Sequence, residues 1–252
     1  MPSVMWKELT AEDLRAKAAA NAIVVLPVAS MEQHGPHLPV GVDTFLCEAV
    51  CRGGAEIAVA DTPVVVAPTL WCGMAEHHMS FGGTFTFDIP TYMAVLRAFL
   101  TSIKRHGFTR VFIVNGHGGN IAALKAFLPD LTRETGLTLY ATTYFELSKA
   151  DIGQYLEDQK QVHHACEVET SMMMVVAPLT VKHERLPEAF GMLNGDPRKA
   201  FPAQRYLPFK DNITSSGVIG DARRANAQKG DKLLAVCAEG LAAALRNREM
   251  WA

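Results

Sequence analysis

The chain has 252 residues, 49% of them hydrophobic, with 24 Lys and Arg against 26 Asp and Glu for a formal net charge of −2. That apolar content is enough for one large core, in one domain or at most two, and a charged fraction of 20% excludes a disordered chain. The near-neutral balance offers no basic field for a phosphate backbone, and Pro27, Pro63 and Pro68 break the apolar stretches short of the roughly 18 residues a membrane span needs, so neither nucleic acid nor membrane is expected.

Residues 18–29 are apolar and follow Arg15 and Lys17, but Glu8, Glu12 and Asp13 stand where an export signal is basic, so a strand is predicted there. Further β-rich runs occupy residues 64–68, 111–115 and 138–143, after a first one at 22–28. The stretches between them have helical periodicity. Such alternation predicts βα units around a mostly parallel sheet. In residues 91–106, Met93, Leu96, Phe99, Leu100 and Ile103 recur at helical spacing, Lys104-Arg105-His106 closes the run and Gly107 stops it. Residues 122–135 and 231–246 read as further helices. The proline-rich stretch 187–220, with Pro187, Pro197, Pro202 and Pro208, predicts an irregular excursion from a single domain. Within it Arg198, Arg205 and Lys210 read as solvated charges, the alternative being a grip on an anionic substrate.

The five cysteines, Cys47, Cys51, Cys72, Cys166 and Cys237, are odd in number and form no CxxC pair. Plain core thiols in a reduced, cytoplasmic protein are the expectation. Cys47 and Cys51, four apart, suit one buried helix face as readily as a zinc site.

Ligand-type side chains gather where the predicted strands end, which is where sites form in parallel α/β sheets. After the first strand come Glu32, His34, His37 and Asp43; alternation in an extended segment puts residues 32 and 34 on one side, and this mixture of N and O donors suits a divalent metal. After the third comes Asn115-Gly116-His117-Gly118-Gly119-Asn120, whose glycines permit a tight turn and close backbone approach to a ligand. The dinucleotide pattern GxGxxG is absent. His163-His164-Ala165-Cys166-Glu167-Val168-Glu169 precedes an apolar run; if helical throughout, His164 and Glu167 share a face and Glu169 points elsewhere. The His77-His78 pair is expected to contact substrate or pack the pocket, and His37 to stand behind the ligands.

Taken in order, Glu32-x-His34-Gly35-Pro36-His37-Leu38-Pro39 with Asp43, His78-x-x-Phe81-x-Gly83-Thr84, the Asn-Gly-His-Gly-Gly-Asn run and His164-Ala165-x-Glu167-x-Glu169-Thr170-Ser171 resemble the creatininase family, with Gly217-x-x-Gly220-Asp221 as a further likeness. The resemblance runs from about residue 20 to about 245. It implies an α/β fold, a three-layer α/β/α sandwich that is frequently hexameric, and two divalent metals, Zn or Mn with Fe as an option, bridged by Asp43. Glu32 and His117 would serve one metal, and His34 with Glu167 the other. Creatininase itself takes its last carboxylate ligand two residues after the histidine of Asn-Gly-His, and that position here is Gly119. This departure makes the chain resemble a Gly-Gly-Asn branch that includes formamide-cleaving deformylases and a peptide-trimming member.

The reaction so implied is hydrolysis of a non-peptide C–N bond in a small molecule, a cyclic amide or a formamide. His164 would protonate the leaving nitrogen with Glu169 orienting it, and His78, Gly118 and Gly119 would contact substrate. A metal-dependent isomerase or lyase acting on a sugar-like substrate is the alternative. A vestigial, non-catalytic subunit would have lost ligands, whereas all five expected positions retain metal-ligating residue types.

Overall fold

A computed structural model describes residues 3–191 and 205–252, so Pro197, Arg198 and Pro202 of the excursion lie outside the described residues. At its centre are four parallel strands, β1 (Ile23–Val28), β2 (Val64–Val66), β3 (Arg110–Asn115) and β4 (Thr138–Thr143), in the order β2-β1-β3-β4. The register pairs Ile23 with both Val64 and Arg110, and Arg110 with Thr138. β1 is buried along its length, which is why it reads as an unbroken aliphatic run.

Because side chains alternate across a sheet, each strand feeds two cores. Ile23, Val25, Val64, Val66, Phe112 and Val114 face one side; Val24, Leu26, Val28, Val65, Val111 and Ile113 face the other. The first side is covered by α2 (Val42–Ala58), α7 (Glu167–Val176) and α9 (Ala227–Arg246), and the second by α3 (Ile89–Arg105) and α4 (Ile121–Thr135), with α1 (Ala11–Ala19) at its margin. The molecule is therefore the expected three-layer α/β/α sandwich. Two short helices, α5 (Tyr144–Leu147) and α6 (Lys149–Gly153), follow β4.

Local chemistry sets the helix ends. Asp88 accepts from Thr91 N with Pro90 in the first turn of α3, Gly136 ends α4 at φ 63°, and Asn226 accepts from Lys229 N to start α9 four residues ahead of the predicted 231. Glycines let α9 approach its neighbours: a Cβ on Gly54 of α2 would lie 2.8 Å from Leu241 Cγ, and one on Gly230 would lie 2.0 Å from Ser171 O of α7. Each fully buried leucine or isoleucine in these layers contributes roughly 1.5–3 kcal/mol.

The excursion is more ordered than its prolines imply. It contains α8 (Phe209–Asn212) and an antiparallel pair, β5 (Phe190–Gly191) with β6 (Gly220–Asp221). All five cysteines are buried and free, Cys47 and Cys51 on the inner face of α2. Among the described residues no helix is long and apolar enough to cross a membrane.

Topology positions the site. From β1 the chain leaves to α2 on one face, and from the adjacent β3 it leaves to α4 on the other, which opens a crevice at the carboxyl ends of these strands.

Candidate metal centre

The crevice holds a pocket of about 450 Å³ lined by Glu32, Asp43, His78, His117, His164 and Glu169. Glu32 and His34 come from the loop after β1, Asp43 from the first turn of α2, His117 from the loop after β3, and Glu169 from the first turn of α7. All five are buried.

Two donor sets overlap here. Glu32, Asp43 and His117 present ligand atoms within 4.8 Å of one another, and so do His34, Asp43 and Glu169. Asp43 belongs to both, its Oδ1 3.2 Å from His34 Nε2 and its Oδ2 3.2 Å from His117 Nδ1. A third grouping joins Glu32, His34 and His164.

The tautomers of the two imidazoles are fixed by groups that only accept. His34 Nδ1 lies 3.1 Å from the Glu32 carbonyl and His117 Nε2 lies 3.1 Å from the Met74 carbonyl, so each ring nitrogen there carries a proton and donates it. The opposite nitrogens are the ones turned to carboxylate oxygens: His117 Nδ1 is also 3.1 Å from Glu32 Oε2. Both Glu32 oxygens, Asp43 Oδ2 and His34 Nε2 are buried with no hydrogen-bond partner among the described residues. A positive charge, a proton or a metal ion, is what such a cluster of buried carboxylates and imidazoles calls for, and far-side donation to carbonyls is how metal-bound histidines are held.

The local potential agrees. Burial opposes protonation of His34, yet Asp43, Glu169 and Glu32 outweigh it and push the imidazole up to about 9. His117 is likewise held well above the ordinary histidine range, burial being overcome by Glu32 and Asp43. Burial raises Glu169 to about 7, with His34 pulling the other way. A site this favourable to positive charge suits divalent ions, and its N and O donors suit Zn or Mn.

The supporting frame is local. Asn115 accepts from His117 N (3.1 Å) and donates to its carbonyl (2.6 Å), while Asn120 donates to Asn115 Oδ1 and Ala29 O, stitching the loops after β3 and β1 together. His37 donates through neither ligand; its Nε2 meets Thr170 Oγ1 at 2.7 Å, behind Glu169. Burial drives the His37 ring down to about 4.

A family profile described as creatinine amidohydrolase matches residues 7–245. The chain belongs to the creatininase family. Creatinine amidohydrolase of Pseudomonas putida is 29% identical over 264 residues, covering 97% of each chain. The mycofactocin precursor peptide peptidase of Mycolicibacterium smegmatis is 29% identical over 225 residues, covering 87% of this chain and 83% of the relative. Among solved structures, a manganese creatininase superposes with a TM-score of 0.80 at 26% identity over 98% of each chain. A mutant creatininase of Zn-Zn type gives 0.81 at 25% identity, over 98% of this chain and 99% of its own.

Within this creatininase-family site one expected donor is displaced. Glu167 points away from the cluster: its Oε1 is paired with Lys229 Nζ, and its Oε2 accepts from Glu157 N at 3.3 Å. Glu169, expected to orient a catalytic histidine, instead joins His34 and Asp43. The reason lies in the backbone. His164 bridges to Ile219, Ala165 takes φ 51° and Cys166 is extended, so the helix starts only at Glu167 and a helical phase carried back to His164 does not exist.

The two glycines after His117 differ. A Cβ on Gly118 would meet nothing within 4 Å, leaving open pocket, whereas one on Gly119 would lie 2.4 Å from both His117 Nε2 and Met74 O. A side chain at position 119 therefore collides with its neighbours, and the carboxylate that lies beside His34 and Asp43 is Glu169 of α7. His78 lines the pocket with both ring nitrogens facing protein groups, Nδ1 with Gln33 Nε2 at 3.0 Å and Nε2 near Glu32 Oε1 at 3.2 Å, and its ring is packed by His164 and Phe209. His164 stacks between His34 and His78 with centroids 4.4 Å from each. Burial, then His34 and His78, hold it well below the ordinary histidine range, hence neutral. The opposite wall is Arg205, Tyr206, Leu207 and Phe209; Phe209 packs edge-on to His78 at 4.4 Å. Sequence reasoning missed Phe209 and Gln33, which no motif marks.

Proposed function

We propose that the protein is a dinuclear amidohydrolase that cleaves the C–N bond of a small cyclic amide or a formamide. One observation carries this reading: Asp43 sits in two donor sets at once, with His34 Nε2 on one side and His117 Nδ1 and Glu32 on the other, all in one buried pocket. Glu32, Asp43 and His117 would hold one divalent ion and His34, Asp43 and Glu169 the other, with Asp43 shared. When bound, such a pair lowers the pKa of a water toward neutrality and polarises a carbonyl.

The chain's own groups do the rest. Gly118 leaves space beside His117 for a substrate carbonyl, and Phe209 lines the pocket against His78. His164, being neutral, accepts the proton of the attacking water and returns it to the departing nitrogen. The aromatic and aliphatic wall of Tyr206, Leu207 and Phe209 lines the pocket in which that transfer would occur. The relatives' printed activities, on creatinine and on a peptide, both fit hydrolysis next to a carbonyl.

The test is a screen of Zn- and Mn-loaded protein against small lactams, cyclic ureas and formamides in ¹⁸O-water. Hydrolysis incorporating one solvent oxygen is expected. Protein with two bound equivalents that instead converts a sugar-like substrate with its formula conserved would overturn the reading in favour of an isomerase.

A further inference from the structure

The two donor sets are anchored by different means. Asp43 and Glu169 stand in the first turns of α2 and α7, so the set they form with His34 is fixed to two long helices. In the other set Glu32 and His117 stand on two separate loops, and Asp43 alone belongs to a helix. Loops hold a fixed spacing only where something ties them together.

One buried side chain does this. Asn120 Oδ1 accepts from Met74 N at 2.9 Å, so its Nδ2 is the end that donates to the Ala29 carbonyl and to Asn115 Oδ1, both at 3.1 Å. Each bond reaches a different piece of chain. Ala29 opens the loop that carries Glu32. Asn115 Oδ1 also accepts from His117 N, and the Met74 carbonyl faces His117 Nε2 at 3.1 Å, so His117 is gripped at its backbone and behind its ring by groups that Asn120 holds. Both amide hydrogens and the amide oxygen are used, and the network closes with no group left over. Its tightness shows at Gly73, where a Cβ would lie 2.4 Å from Asn120 Oδ1 and 2.6 Å from the Ala29 carbonyl.

We infer that Asn120 is a positioning residue for the ion held by Glu32, Asp43 and His117, and not for the ion held by His34, Asp43 and Glu169. It acts by fixing the spacing of the two loops that supply Glu32 and His117, and the two ions therefore differ in what keeps their donors together. This rests on the dinuclear part of the proposed function and not on which bond is cleaved.

The test combines ¹¹³Cd NMR with zinc competition against a chelator, on the full-length protein without substrate. Wild type loaded with ¹¹³Cd should give two resonances, and Glu169→Gln identifies the one from the His34 set by removing it. In Asn120→Ala the other resonance is expected to shift or broaden while the His34 resonance keeps its position. Chelator competition should show one zinc equivalent weakened about 10–100-fold and the other unchanged, the range for groups that orient metal ligands from behind. Gly73→Ala removes no hydrogen-bonding group and crowds Asn120 from outside, so it should give the same one-sided pattern in milder form. A side chain that merely stabilises the fold would weaken both ions together or neither, and either result overturns the proposal. Should Asn120→Ala fail to fold, Gly73→Ala decides alone. A wild type that binds fewer than two ions refutes the dinuclear reading and this asymmetry with it, whereas two bound ions without any C–N hydrolysis sinks only the hydrolase reading.

Discussion

Asp43 occupies the overlap of two donor sets, and the charge of each set leans on it. Asp43→Ala is expected to lower bound metal from two equivalents to none, read by elemental analysis of the purified variant; two retained equivalents would refute a shared ligand. The neighbouring glutamates of α7 give a sharper contrast. Glu169→Gln should lose one equivalent, whereas Glu167→Gln should keep both and lose its buried pair with Lys229, at about 3 kcal/mol of stability. Metal content and a denaturant midpoint measured on the two variants separate the roles.

At the scale of elements, α9 is the strut that fixes where α2 and α7 stand, and these two helices carry Asp43 and Glu169 in their first turns. Leu241→Ala removes a fully buried side chain from the α2–α9 contact, and unfolding in urea should show a loss of about 3 kcal/mol. The elements themselves were legible from periodicity: the four strands and the helices at 89–105, 121–135 and 227–246 follow from apolar spacing and stop residues. The candidate site was legible wherever a potential donor follows a strand directly, as Glu32, His34 and His117 do. It was not legible at Glu169, because the phase of α7 depends on the left-handed Ala165 and extended Cys166, which no pattern announces. Nor was it legible at Gln33, whose partners His78, His164 and Gly217 lie 45, 131 and 184 residues away.

For the whole molecule, the price of gathering three carboxylates in one buried crevice is a fold that depends on what neutralises them. An ion present at a hundred times its dissociation constant adds about 2.7 kcal/mol, and a domain of this size shifts roughly 2–4 °C per kcal/mol. Chelation should therefore lower the melting temperature by about 10 °C or more, restored by Zn or Mn; an unchanged melting curve would mean the cluster holds no stabilising cation.

The division of labour in the pocket has a last consequence. Its floor hangs from β1, β3 and two long helices, while the wall of Tyr206, Leu207 and Phe209 belongs to a separate stretch tied across by Tyr206 Oη to the Glu76 carbonyl at 3.3 Å. In the proposed hydrolase, reactivity and selectivity would thus be carried on different pieces of chain. Descendants of this architecture can trade one amide for another by rewriting the second piece while the first stays untouched.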